Sequence, residues 1–208
     1  MTTRRVLLGA AAAASCLAGT MAASAQAGPK VGAPAPAFTA VDSNGKTVSL
    51  ADFAGKTVVL EWTNDGCPFV GKHYGGKSMQ ALQSKWTGKG VVWLSVISSA
   101  PGEQGYADGA RANQLTADRG AHPTAVLLDP KGTVGHAYNA RTTPEMFVIK
   151  GDGTLAFMGG IDDKPSTKLD DLKTAKNFVD AALSEVGEGK PVSVTTARPY
   201  GCSVKYSS

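Results

Sequence analysis

A chain of 208 residues, 42% of them hydrophobic, fits one packed domain with an extension. Its formal net charge of +4 is small, and no Lys/Arg stripe is interleaved with aromatics. Both features argue against a nucleic-acid-binding protein.

The extension is N-terminal. Arg4 and Arg5 precede an apolar, alanine-rich run from Val6 to about Ala23, and Ser24-Ala25-Gln26-Ala27 follows. A charged n-region, an apolar h-region and a small-x-small site predict an export signal removed after Ala27. The run lacks a basic flank on its far side, so no membrane anchor is expected in the mature form. Arg4-Arg5 also has the look of a twin-arginine signal. Cys16 is a weak lipidation site, because Ala13 stands where a lipoprotein signal carries a larger aliphatic residue. Loss of the two arginines lowers the charge from +4 to +2, and loss of Cys16 leaves two cysteines, Cys67 and Cys202. In the periplasmic or secreted setting that such a signal implies, an even pair reads either as a structural disulfide or as a redox couple.

In chain order, Phe38 to Val41 and Lys46 to Leu50 flank a hairpin turn, and Ser49 is placed to cap a short helical turn. Lys56–Thr63 is a near-continuous apolar run, as in a strand buried on both faces. Cys67-Pro68 then opens a helix expected to reach about Trp86, proline being well tolerated in a first turn. Val91 to Ser98 and Ala125 to Leu128 read as further strands. The Gly102–Gly120 stretch is helical in pattern, and a turn with a short helix falls in Asp129–Tyr138. Met146 to Ile149 and Leu155 to Met158 form a second hairpin. Leu169 to about Val186 has helical periodicity. The segment from Gly187 onward is a tail, extended at Val192–Val194, that carries Cys202. This order implies a mixed sheet flanked by helices, with a domain over 28–186 and a tail over 187–208.

Three features carry chemistry. Cys67 sits where a buried strand gives way to a helix, and the positive end of the helix dipole favours thiolate there. Glu61 lies inside the apolar run, six residues earlier in the chain. Burial should raise its pKa, which suits it to exchanging protons with a nearby sulfur; pairing with a lysine or a sheet-edge position is the alternative. Thr142-Thr143-Pro144 stands directly before a strand, where a cis X–Pro turn fits.

The segment from Val58 to Pro68 resembles the strand–nucleophile–helix of thioredoxin-like proteins, with Glu61 at the position of the family's buried acid. Thr143-Pro144, Phe147–Ile149 and Gly151–Thr154 resemble the family's cis-proline loop and following hairpin. Val31–Phe38, Asp42–Lys46 and Leu50–Lys56 resemble the redoxin branch, which holds the peroxiredoxins of the alkyl hydroperoxide reductase type and the periplasmic thiol–disulfide reductases. Gly66–Val70 with His73-Tyr74 and the late Gly201-Cys202 is most similar to a peroxiredoxin-like subgroup. The resemblance implies an α/β thioredoxin-like fold over residues 31–186 and Cys67, Glu61, Thr143 and Pro144 as site residues.

This sequence also departs from the pattern. Val70 replaces the second cysteine of Cys-x-x-Cys. Asn64 and Leu60 stand where peroxiredoxins carry Thr and Pro, and the cation beside the thiolate is reduced to two candidates, Lys72 and Arg141. Two readings follow. In one, Cys67 attacks a peroxide or a protein disulfide and Cys202 resolves it as a Cys67–Cys202 bond, with a reducing partner closing the cycle and no cofactor. In the other, the same bond is a permanent staple in a binding module. His73 reads as a polar surface residue, Asp162-Asp163 and Asp170-Asp171 as solvated acids, and Trp62, Trp86 and Trp93 as packing residues.

Overall fold

The computed structural model describes residues 28–207; the export signal expected over residues 1–27, with Cys16 and the Ala27 cleavage point, lies outside them. Strands β1 (Thr39–Asp42) and β2 (Thr47–Ser49) form the first hairpin. Ser49 closes a capping box with Asp52 over the 3-10 turn Leu50–Phe53, satisfying donors that a helix start leaves open.

Next come β3 (Val58–Trp62), α1 (Pro68–Gly75), α2 (Ser78–Thr87), β4 (Val92–Ile97), α3 (Gly109–Arg119) and β5 (Ala125–Leu128). They are followed by α4 (Thr133–Ala137), β6 (Thr142–Thr143), β7 (Glu145–Ile149), β8 (Leu155–Gly159) and α5 (Phe178–Gly187), and then by two short tail strands, β9 (Thr196–Ala197) and β10 (Cys202–Ser203). The sheet order is β2-β1-β5-β4-β3-β7-β8-β9, with β6 and β10 as a separate pair. β3, β4 and β5 are parallel, whereas β7 runs antiparallel to β3 and to β8.

Strand alternation sorts the core into two faces. Val58, Leu60 and Trp62 point to one side, where they pack with Phe38, Val134, Tyr138 and Phe147. Val59 faces the other, against Val70 and Tyr74 of α1, Met79 and Trp86 of α2 and Val179 and Leu183 of α5. Glu61 shares that second face by parity, so an acid enters the helix-covered layer. All three tryptophans are buried.

Three expected elements come out differently. The helix expected from Cys67 to Trp86 is two helices, broken at Gly75-Gly76-Lys77, where Lys77 adopts a left-handed φ of 61°. The helix expected from Leu169 is a 3-10 turn, Leu169–Lys173, and then a separate α5. Asn177 restarts the chain there: its side chain accepts from Asp180 N at 2.8 Å while Phe178 N donates to Ile161 O. The tail strand forms at Thr196–Ala197, beyond Val192–Val194, because backbone pairing with β8 decides its place.

Candidate active site

The loop between β3 and α1 is shaped by Asn64. Its side-chain oxygen accepts from Gly66 N at 2.8 Å and its amide donates to Gln104 O at 3.1 Å. This Asx turn delivers Cys67 to the N-cap position of α1, with Pro68 in the first turn. Cys67 is only 1% exposed, and its thiol donates to the Thr143 carbonyl oxygen at 3.0 Å. The Thr143–Pro144 peptide bond is cis, as the sequence led us to expect, and both residues are buried.

Cys202 arrives from the far end of the chain. β10 pairs antiparallel with β6 so that Cys202 stands opposite Thr143 and Ser203 opposite Thr142. Gly201 makes this approach possible: its φ is 141°, and an added Cβ would run into the Thr143 carbonyl oxygen. Farther along, Val204 N donates to Arg141 O at 2.9 Å and Ala100 N to Lys205 O at 2.8 Å. The structure records Cys67 and Cys202 as free thiols, Cys67 buried and Cys202 partly exposed.

The two thiols are inequivalent. Burial acts to raise the Cys67 pKa, but hydrogen bonds from the Cys202 and Thr143 side chains and from the Val70 and Cys202 backbone outweigh it, leaving the Cys67 thiol below its ordinary value. Thr143 Oγ1 is buried with no hydrogen-bond partner, so it is free to donate once Cys67 loses its proton and gives up the bond to the carbonyl. Cys202 is pushed up to about 11, first by burial and then by its hydrogen bond to, and the charge of, Cys67. Cys67 is therefore the more acidic thiol of the pair and Cys202 the less acidic.

Glu61 is fully buried and saturated with donors. It accepts from Tyr74 Oη at 2.8 Å, Gln83 Nε2 at 3.0 Å, Trp93 Nε1 at 2.7 Å and Ser95 Oγ at 3.2 Å. Burial raises its pKa despite the opposing hydrogen bonds from Trp93, Tyr74 and Gln83. These four bonds link Glu61 to α1 through Tyr74, and none of them reaches Cys67. The structure thus joins Cys67, Cys202, Thr143 and Pro144 directly, and Glu61 only through the helix.

The two cationic candidates go elsewhere. Arg141 is exposed, and Lys72 Nζ donates to Lys164 O at 2.7 Å and to Tyr200 Oη at 3.2 Å, and lies 3.6 Å from Asp162. His73, expected on the surface, is buried. Its Nε2 is 3.2 Å from Tyr200 Oη and its Nδ1 is 3.1 Å from Ser78 Oγ. Asp162, expected to be solvated, is buried too, and it receives the Tyr200 hydroxyl. Hydropathy placed both in water; their mutual pairing is what lets them leave it. Tyr200 carried no signal in the sequence, since nothing local connects a tail tyrosine with an acid 38 positions earlier.

A cysteine at a helix N-terminus, set against a cis-proline loop on a mixed sheet, defines a thiol protein of thioredoxin-like fold. A model of the AhpC/TSA family matches residues 31–158, more than half of the chain, and the chain belongs to that family. It is thereby a thiol-dependent redox enzyme of peroxiredoxin-like or thiol–disulfide oxidoreductase type. Among solved structures, an uncharacterized conserved protein from Geobacillus kaustophilus superposes with a TM-score of 0.72 at 24% identity, over 86% of this chain and 93% of its own. A hypothetical protein from Sinorhizobium meliloti 1021 gives 0.70 at 23% identity, over 86% and 96%. A Bacteroides thetaiotaomicron protein, provisionally assigned as a protein disulfide isomerase, gives 0.50 at 19% identity, over 62% and 78%. These likenesses are of fold. No curated protein sequence matches the chain.

Two outcomes follow. Gly201→Ala should lift β10 off Thr143 and speed native-state alkylation of Cys67 by iodoacetamide about tenfold, the factor that about 1.4 kcal/mol of lost docking produces. Equal rates by mass spectrometry would mean that the tail does not limit access. Glu61 binds its proton more tightly when folded, so its contribution to stability is present below the ordinary carboxyl value of 4.5 and is lost as pH rises through the raised folded value. Urea unfolding of Glu61→Gln across that range should therefore show the variant gaining on the wild type with rising pH; a constant difference would contradict the raised value.

Proposed function

We propose that the protein is an exported thiol–disulfide oxidoreductase in which Cys67 is the nucleophile and Cys202 the resolving cysteine. The observation that carries this reading is the antiparallel pairing of Cys202 with Thr143, which brings the second thiol to Cys67 from a strand.

The Cys67 thiolate attacks one sulfur of a substrate disulfide, forming a mixed disulfide and expelling the other sulfur as a thiolate. Cys202 then loses its proton to solvent and attacks Cys67 Sγ. That step closes the Cys67–Cys202 bond and releases the second substrate thiol, so the substrate gains two electrons and the cysteine pair loses them. The sequence of steps is timed by the site itself. While Cys67 is a thiolate, its hydrogen bond and charge hold the Cys202 pKa up; once Cys67 is in the mixed disulfide, both are gone and Cys202 becomes easier to ionise. An external dithiol regenerates the pair by attacking Cys202, the more exposed sulfur, because Cys67 is the more acidic leaving thiol. Glu61 serves this chemistry by fixing Tyr74, and with it α1, beneath Cys67.

Disulfide exchange fits better than peroxide reduction. Among the described residues neither Lys72 nor Arg141 hydrogen-bonds to Cys67, and the cation whose charge acts on the pair, Lys205, acts on Cys202 rather than on the nucleophile. A second reading is a staple that never turns over, and the near-complete burial of Cys67 favours it. Export follows from the N-terminal segment, and no helix among the described residues is long and apolar enough to cross a membrane.

The reduced protein mixed with an excess of a cysteine-containing peptide disulfide should form one Cys67–Cys202 bond and release peptide thiol. Cys202→Ser should stop at a mixed disulfide on Cys67, and Cys67→Ser should not react. Failure of Cys202→Ser to trap the peptide would sink the oxidoreductase, and a wild-type reduction potential below about −300 mV would favour the staple. A faster reaction with hydrogen peroxide than with the disulfide would transfer the assignment to a peroxidase. Separately, the exported protein should begin at Gly28 by N-terminal sequencing.

A further inference from the structure

The strand that carries Cys202 is short: only two of its residues pair with β6. Two-residue pairing cannot hold a chain end in place by itself, so the position of Cys202 must be fixed from outside the strand. Backbone bonds from Val204 N to Arg141 O and from Ala100 N to Lys205 O do part of this on one side, and tyrosines on either side of the strand do the rest.

Two residues before Cys202, the Tyr200 side chain enters a buried cluster built from α1 and the segment after β8. Its hydroxyl donates to Asp162, and it lies 3.2 Å from both Lys72 Nζ and His73 Nε2. The second oxygen of Asp162 accepts no hydrogen bond and faces Lys72 at 3.6 Å and His73 at 3.7 Å. The Tyr200 ring packs edge-on against Phe69 with centroids 5.8 Å apart. Phe69, Lys72 and His73 all belong to the helix that Cys67 opens, so the cluster ties the tail to the element that carries the nucleophile.

Four residues after Cys202, the Tyr206 hydroxyl donates to Ala140 O at 2.7 Å and its ring stacks on His136 at 4.1 Å. Gly132 and Gly135 leave room for that ring, because a Cβ at either would collide with it. Ala140 lies just ahead of the Thr142–Thr143 strand, so this anchor ties the tail to the proline loop.

Burying a lysine, a histidine and an aspartate is costly, and an apolar contact would hold a tail as firmly. What the charged cluster adds is direction: a hydroxyl between three fixed partners has one place to sit. We infer that Tyr200 and Tyr206 are positioning residues for the resolving step, setting Cys202 against Cys67 by fixing the tail to α1 on one side and to the proline loop on the other. The inference rests on the oxidoreductase reading above. Neither tyrosine touches the sulfurs. Each acts by raising the effective concentration of the Cys202 thiol at Cys67, and so the equilibrium for closing their bond.

A contact that merely stabilises the fold contributes equally to the dithiol and the disulfide and cancels from that equilibrium. A contact that pre-places the tail does not cancel, since without it the closing reaction must order the tail. The test is equilibration with glutathione redox buffers and quantitation of the Cys67–Cys202 bond by mass spectrometry. Tyr200→Phe keeps the ring against Phe69 and loses only the hydroxyl. It should lower the equilibrium constant for bond closure about tenfold, which is about 30 mV towards a more oxidising couple. Tyr206→Phe, losing one neutral hydrogen bond, should lower it about threefold, within the range of a single such bond. An equilibrium constant for Tyr200→Phe equal to the wild-type value overturns the assignment, even if its urea midpoint falls. Should Tyr200→Phe not fold, an unchanged constant in Tyr206→Phe overturns it instead. A wild type that forms no Cys67–Cys202 bond at all defeats the oxidoreductase reading itself; a wild type that closes normally beside unaltered variants defeats only this inference.

Discussion

Cys202 stands opposite Thr143 in an antiparallel pair, and the rest of the site depends on that register. Opposed residues in such a pair sit about 5 Å apart, and Thr143 already holds Cys67 through its carbonyl oxygen. Any side chain opposite Thr143 is thereby brought to the sulfur. A shift of one residue would turn Cys202 to the other side of the strand and put Ser203 in its place. Gly201 protects the register because no residue with a Cβ can pass the Thr143 carbonyl at that point. The central sheet contributes by fixing Thr143 itself, since β7 follows directly and is paired along its length with β3, the strand that ends just before the cysteine loop.

Two buried acids sit on either side of this arrangement and are handled differently. Glu61 receives a hydrogen bond from each of four neighbours and has no cation in hydrogen-bond contact. Asp162 is paired with Lys72 and hydrogen-bonded by Tyr200, and one of its oxygens has no hydrogen-bond partner. Saturation makes the Glu61 cluster a fixed piece of the core, joining β3, β4, α1 and α2. The Asp162 cluster is less complete and includes a residue of the tail, so it is the part that changes if the tail moves. His73 is held down to about 4, by burial first and by the charge of Lys72 second, and stays neutral at pH 7. The Lys72 ammonium is pushed down by burial too, against the opposing effect of the Asp162 carboxylate.

Much of this could be read from the sequence, and the division has a physical cause. β3 and β4 are buried on both faces, so their apolar runs are continuous and unambiguous, and Ala125–Leu128 falls where composition places it. Cys67 at a helix start and Pro144 ahead of a strand are local features whose geometry follows from neighbouring residues. The tail is different. Thr196–Ala197 and Cys202–Ser203 have no strand pattern of their own, and their conformation is imposed by β8 and β6 across the molecule. His73 and Asp162, expected in water, are buried for the same reason: each is hydrophilic alone and leaves water only beside the other and Lys72. Tyr200 completes that group from the last ten residues of the chain, a separation no periodicity can bridge.

The place of Val70 explains why the second thiol comes from the tail. A residue three positions after Cys67 lies one turn along α1 and, with Cys67 at the N-cap, turns back toward it. Here that residue is an apolar side chain 1% exposed in the helix-side core, while its backbone N–H helps lower the Cys67 pKa. The helix thus supplies packing and hydrogen bonding to the sulfur but no partner for it. The second cysteine lies instead on a tail strand held by its pairing with β6, by backbone bonds from Val204 N to Arg141 O and from Ala100 N to Lys205 O, and by two tyrosines. The family match ends at residue 158, before Asp162, Tyr200 and Cys202. The family match thus covers Cys67, Glu61, Thr143 and Pro144, whereas Asp162, Tyr200 and Cys202 all lie in the segment beyond it.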